Sequence, residues 1–174
     1  MVFTIGVTGH RNLPTDTRWK IIHGLKCIVF HLLKDKMQEG VSVNTVSGMA
    51  LGADLLFVIA MVDARRYYKE HHVPFSITAA IPFKGQCDRW NNACRHLWSE
   101  LLDQCDDKIV LSNGYYTGCY KKRNQYIVDH SDVLIAVWNG NYHSGTGQTV
   151  RMAKSQGRPV IVLDPRTLQY YVLQ

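Results

Sequence analysis

Residues 132–151 read D-V-L-I-A-V-W-N-G-N-Y-H-S-G-T-G-Q-T-V-R, and this stretch decides the fold. It opens on an almost unbroken apolar run, Val133 to Trp138, short and without polar alternation. Such a run suits a parallel strand buried on both faces. A glycine-bearing turn follows, and Ser144-Gly145-Thr146-Gly147 leads into a helix expected over 148–155. Strand, glycine-rich turn and helix start are how α/β proteins build phosphate sites. Free N–H groups and the positive end of the helix dipole face the ligand, and glycine lets it approach the backbone. A βα turn whose glycines serve tight geometry alone is the plainer reading, and this stretch by itself leaves both open.

The same alternation extends outward in both directions. A strand at 2–8 leads through Thr8-Gly9-His10-Arg11 into a long helix at 16–39, with Pro14 ahead of it and Gly40 as its stop. Ile21, Ile22, Leu25, Ile28, Val29, Leu32 and Leu33 form the stripe of that helix that packs on a sheet. A strand at 42–46 leads through Ser47-Gly48-Met49-Ala50-Leu51-Gly52-Ala53-Asp54 into a helix ending near Tyr68. A strand at 75–81 is closed by Pro82-Phe83, and a helix then runs to about Cys105, with Gln86 and Trp90 one turn apart on one face. A strand at 107–111 and an aromatic loop at 112–120 precede a helix at 120–130. The last sheet strand is expected at 158–164, and the apolar, aromatic tail at 168–173 caps the domain or a partner subunit. No repeat, low-complexity run or linker interrupts the 174 residues. The chain therefore reads as a single domain, α/β, with a Rossmann-like, doubly wound, mostly parallel sheet and helices on both faces.

In such a sheet, loops that follow strands gather along one edge, where ligands bind. Gly9 permits close backbone approach, and His10 and Arg11 supply donors; the plainer reading is a surface loop with an incidental cation. Ser47, Gly48 and Gly52 make a small-residue turn, with Asp54 in the first helical turn as a cap or dipole complement. Gln86 and Trp90 either bracket a base or seal a helix onto the sheet. Arg123 and Asn124, early on their helix, either meet phosphate and base or belong to a solvated basic face beside Lys121 and Lys122.

Composition narrows the classes. Twenty Lys and Arg against fourteen Asp and Glu give a net charge of +6, which favours anionic partners. The cations are scattered, so a small anionic ligand is expected ahead of nucleic acid. Five cysteines without C-x-x-C spacing argue against a disulfide scaffold and against a metal site. No run approaches the ~20 apolar residues of a membrane span, and the N-terminus lacks a signal-peptide layout, so no membrane partner and a cytoplasmic location are expected.

Taken together, T-G-H-R, S-G-M-A-L-G-A-D, I-P-F…Q…W, R-N-Q-Y-I-V-D-H-S-D-V-L-I-A-V-W and S-G-T-G-Q-T-V-R-M-A resemble the SLOG superfamily. The likeness covers roughly residues 2–164 and is nearest to the YpsA-like (DUF1273) and YspA-like branches, relatives of the DprA/Smf and LOG proteins. It implies a Rossmann-like domain, often a homodimer, that binds a nucleotide-derived ligand such as ADP-ribose, NAD or AMP and requires no cofactor. A sensor or sequestering protein is the role so implied. Its site would comprise Gly9, His10, Arg11, Ser47, Gly48, Gly52, Asp54, Pro82, Phe83, Gln86, Trp90, Arg123, Asn124, Ser144, Gly145, Thr146, Gly147, Gln148 and Arg151. The LOG branch resembles phosphoribohydrolases with the signature P-G-G-x-G-T-x-x-E. Laid on this chain, the later glycines fall on Gly145 and Gly147, the threonine on Gln148 and the glutamate on Arg151. A cation where a carboxylate should manage an oxocarbenium-like transition state disfavours that hydrolysis. The alternative is an N-glycosidase using a displaced acid, with Asp54, Asp88 and Asp129 nearest the loops. DNA binding, by analogy with DprA, ranks third.

Overall fold

The computed structural model describes residues 1–173, with backbone alone at 38 and 39. Strand β1 (Val2–Gly9) leads to α1 (Arg18–Leu33), β2 (Ser42–Ser47) to α2 (Ala53–Glu70), and β3 (Phe75–Ile81) to α3 (Asn92–Asp103). Strand β4 (Asp107–Val110) leads to α4 (Cys119–Asp129), β5 (Val133–Val137) to α5 (Gly145–Ser155), and β6 (Val160–Leu163) to β7 (Tyr170–Leu173). They form one sheet in the order β4-β3-β2-β1-β5-β6-β7. Every pairing is parallel except β6 with β7. The expected Rossmann-like α/β sheet is the fold.

Strand β5 shows why the opening stretch folds as it does. All five of its residues are buried. Side chains alternate across a strand, so Val133, Ile135 and Val137 join the core beneath α1, α2 and α3. Leu134, Ala136 and the adjacent Trp138 join the core beneath α4 and α5. A strand that feeds two cores has no face to spare for polar residues.

Four boundaries differ from the sequence expectation. The first helix keeps its apolar stripe but ends at Leu33, because Lys34, Asp35 and Lys36 bring nothing apolar to the core. Two short 3-10 turns, Thr15–Thr17 and Lys36–Glu39, flank it, and Gly40 closes the segment at φ +66°. The segment after Pro82 is not a helix: the chain turns through Trp90, and Asn91 then caps α3 by accepting from the Cys94 N–H at 2.8 Å. Gln86 and Trp90 therefore share no helical face. Helix α5 starts at Gly145 rather than Gln148, because Ser144 caps it by accepting from the Gly147 N–H at 3.0 Å. The tail adds β7 to the sheet, pairing Leu163 with Tyr170 through Val160 with Leu173.

Among the described residues, no helix is long and apolar enough to cross a membrane. Ile135 is wholly buried in β5, so Ile135→Ala should cost about 2–5 kcal/mol. A lowered urea midpoint with an unchanged slope would register that loss.

Candidate functional site

The chain winds outward from β1 to β4 and then returns to place β5 on the other side of β1. The crevice at this reversal is where open α/β sheets accept ligands. A cleft of about 270 Å³ lies there, lined by Thr8, Gly9, His10, Arg11, Ala50, Leu51, Asp54, Tyr120, Arg123, Asn124, Ser144, Gly145 and Thr146. A neighbouring hollow of about 410 Å³ shares His10, Arg11 and Ser144 and continues past Asn12, Asn139, Asn141 and Arg166.

One wall is the first turn of α5. Its earliest N–H groups lack intrahelical acceptors, and Ser144 occupies only that of Gly147. The N–H groups of Gly145 and Thr146 remain, and nothing lies within 4 Å of where a Gly145 Cβ would stand. Arg11 is exposed on the opposite wall, with its guanidinium carbon 6.0 Å from the centre of the Tyr120 ring. Between the walls, His10 Nε2 sits 2.9 Å from Asn139 Oδ1 and 3.2 Å from the Asn139 backbone N–H.

The floor is a buried ion pair. Arg123 is 6% exposed and Asp54 5%. Arg123 Nη1 donates to the Gly48 carbonyl and, at 3.1 Å, to Asp54 Oδ2. Its Nε donates to Asn124 Oδ1 at 2.7 Å, and Asp54 Oδ2 also accepts from the Ala50 N–H at 3.2 Å. Burial pushes the Asp54 carboxyl above its ordinary 3.8, while Arg123, the Ala50 N–H and Arg11 pull it back. Burial likewise lowers Arg123, opposed chiefly by Asp54. Two arginines beside one carboxylate leave the cleft with surplus positive charge.

The glycines serve the protein's own packing more than a ligand's approach. A Cβ at Gly48 would overlap the Arg123 guanidinium, and one at Gly9 would overlap the Ala53 side chain. A Cβ at Gly147 would overlap the backbone of Asn141 and Tyr142. Gly52 adopts φ +84° and meets the carbonyls of His10 and Arg11, a conformation and a proximity that both exclude a side chain.

The sequence candidates thus divide. Gly9, His10, Arg11, Asp54, Arg123, Asn124, Ser144, Gly145 and Thr146 converge on the cleft. Ser47 lies beneath it, where its buried hydroxyl donates to the Asp54 carbonyl at 3.0 Å. Gln86 is buried and donates to the Gly48 carbonyl at 3.1 Å, so it braces the turn from behind. Pro82 and Phe83 are buried, Trp90 is half-buried, and Gln148 begins the second turn of α5; none of these four lines the cleft. Trp98, not Trp90, ties α3 to the turn after β2, donating to the Met49 carbonyl at 3.1 Å. Arg151 is exposed and donates to the Tyr142 carbonyl, pinning the turn after β5 outside the cleft. Sequence reasoning missed Tyr120, whose signal was an aromatic opening a helix three residues before Arg123. It also missed Asn139, Asn141 and Arg166, which nothing in their local pattern distinguishes from surface residues. Among the described residues, no group of three or more His, Cys, Asp and Glu side chains could hold a metal ion.

A reversed α/β sheet with a cationic cleft at its reversal defines a Rossmann-like ligand-binding class of fold. Within that class, the chain belongs to the YspA SLOG family, whose model matches residues 5–165. A UPF0398 protein of Staphylococcus epidermidis is 23% identical over 145 residues, covering 80% of this chain and 74% of that one. The uncharacterized SPbeta prophage-derived protein YoqJ of Bacillus subtilis is 28% identical over 121 residues, covering 63% and 68%. Among solved structures, DNA processing protein A from Helicobacter pylori, described by its single-stranded DNA binding mode, superposes with a TM-score of 0.58 at 17% identity. That match covers 93% of this chain and 65% of the Helicobacter protein, so this chain spans just under two thirds of its length. The structural-genomics target TM1055 superposes with a TM-score of 0.52 at 14% identity, covering 92% and 74%. These two likenesses establish the fold.

Arg123→Met should strand a buried carboxyl and cost about 3–5 kcal/mol near neutral pH. Without its partner, the folded Asp54 value moves further above 3.8. The stability Asp54 contributes is then present below its unfolded value and is lost as pH rises through the folded one. The deficit relative to the parent should therefore shrink in acid. Urea unfolding at about pH 7 and about pH 4 measures it, and an equal deficit at both would exclude Asp54 as the stranded group.

Proposed function

We propose that the cleft binds a nucleotide or nucleotide-derived ligand of the ADP-ribose, NAD or AMP type, as a sensor or sequestering site. The observation that carries this reading is the open first turn of α5, where the Gly145 and Thr146 N–H groups face surplus cationic charge from Arg11 and Arg123. Phosphate oxygens match that arrangement in charge and in hydrogen-bonding capacity. The adjoining hollow beside Asn139, Asn141 and Arg166 gives an extended ligand room for a second polar group. Membership of the SLOG family supports the same class of ligand.

The N-glycosidase alternative is weaker on chemical grounds. Asp54 is the one carboxylate among the residues lining the cleft and its adjoining hollow. It is held by Arg123 and the Ala50 N–H, which leaves it poorly placed to move a proton to a leaving base. The acid that LOG-type hydrolysis requires is replaced by Arg151, which points out to Tyr142. Incubation with AMP and NAD should release neither adenine nor nicotinamide on chromatography.

Single-stranded DNA is a second reading, taken from the Helicobacter protein and from exposed Lys121 and Lys122 beside the cleft. Steeply salt-dependent binding of an oligonucleotide that AMP cannot compete away would favour it.

Ligand at about 100 times its Kd should stabilise the fold by about 2.7 kcal/mol, raising Tm by about 5–10 °C for a chain of this size. Arg11→Ala removes an exposed cation that makes no ion pair among the described residues. It should leave the unliganded Tm within about 1 °C of the parent while weakening AMP or ADP-ribose roughly tenfold. No shift with any nucleotide tested would sink the reading.

A further inference from the structure

Two tyrosines and an amide stand beyond the phosphate-suited turn, and the tyrosines have no role in the phosphate reading. Tyr120, the second residue of α4, lines the cleft. Tyr115, in the loop after β4, is 66% exposed, and its ring centre lies 6.4 Å from that of Tyr120. Buried Phe83 meets both edge-on, at 5.5 Å and 80° from Tyr115 and at 5.9 Å and 76° from Tyr120. Edge-to-face packing of this kind holds both tyrosines in place. Asn124 lies one helical turn after Tyr120, on the same side of α4. Its Oδ1 must accept from Arg123 Nε, which can only donate. The Asn124 amide N–H groups are therefore directed away from Arg123 and available to an outside acceptor.

The geometry points to a nucleobase subsite: a heterocycle stacks on Tyr120, while Tyr115, tilted 58° from Tyr120, packs against its edge, and Asn124 donates to an in-plane acceptor. Arg11, at the outer limit of cation–π range from Tyr120, closes over the opposite side. The inference rests on the phosphate reading of the α5 turn and adds a direction to it. Phosphate lies toward β5 and base toward β4, so the ligand is recognised as a nucleotide and not simply as a sugar phosphate. Base–aromatic stacking tolerates any base, so the subsite selects for the presence of a base more strongly than for its identity.

Calorimetric titration with AMP and with ribose 5-phosphate separates the two levels. The parent protein should bind AMP at least about tenfold more tightly than ribose 5-phosphate. Tyr115→Ala and Tyr120→Leu should reduce that ratio toward one while leaving ribose 5-phosphate affinity within about twofold. Tyr120→Phe keeps the ring and should keep the ratio. Equal affinity of the parent for both ligands overturns the base subsite but leaves the phosphate site standing. An unchanged ratio in both ring-removing variants, or equal loss of both ligands, also overturns it. Failure of both ligands to bind overturns both readings. Tyr115 is mostly solvent-exposed, so its variant reports on binding even if Tyr120→Leu folds poorly.

Discussion

The cleft depends on one buried contact, that of Arg123 with Asp54 and the Gly48 carbonyl. It joins α4, which packs on one face of the sheet, to the turn before α2, which packs on the other. Taking both charges out of water is expensive, and a pair of this kind contributes little net stability against apolar residues of similar volume. What it contributes is position. Through Nε it orients Asn124, through Nη1 it holds the Gly48 carbonyl, and Gln86 grips the same carbonyl from behind. The floor of the cleft is thereby fixed, while Arg11 and the α5 turn above it are left open to solvent.

Much of the fold was legible because the relevant signals are local. The unbroken run of β5 announced burial on both faces, and the strand, turn and helix alternation announced a parallel sheet. The start of α5 was misplaced by three residues because Ser144 acts as a cap rather than as part of a loop. The spacing of Gln86 and Trp90 reads as one helical turn, yet the chain there turns repeatedly and enters α3 only at the Asn91 cap. The antiparallel β7 was invisible as a strand because its four residues read equally as an aromatic tail.

The site was legible in outline and less so in its causes. Sequence placed Arg123 near the ligand as a free cation, but its guanidinium is largely committed to the protein, a fact that depends on residues 69 and 75 positions away. Gly48 and Gly147 drew attention as openings for a phosphate. They are instead openings for Arg123 and for the Tyr142 backbone, and of the candidate site glycines Gly145 alone faces empty space. Arg151, where the LOG signature has its acid, disfavours that hydrolysis in the sequence, and the structure gives it an occupation in holding the turn after β5. A local pattern can mark where a small residue is needed; it cannot say which neighbour needs the room.

The absence of a side chain at Gly48 also constrains how this protein can diverge. Any larger residue there displaces the Arg123 guanidinium, and with it the partner of Asp54 and the anchor of Asn124. A shorter cation at 123 would have to arrive before or together with bulk at 48. Asp54 would then lose a partner whose planar fork a lysine does not reproduce. Positions 48, 54 and 123 are thus bound to drift as a trio, and lineages that break the trio must rebuild the cleft floor from other residues.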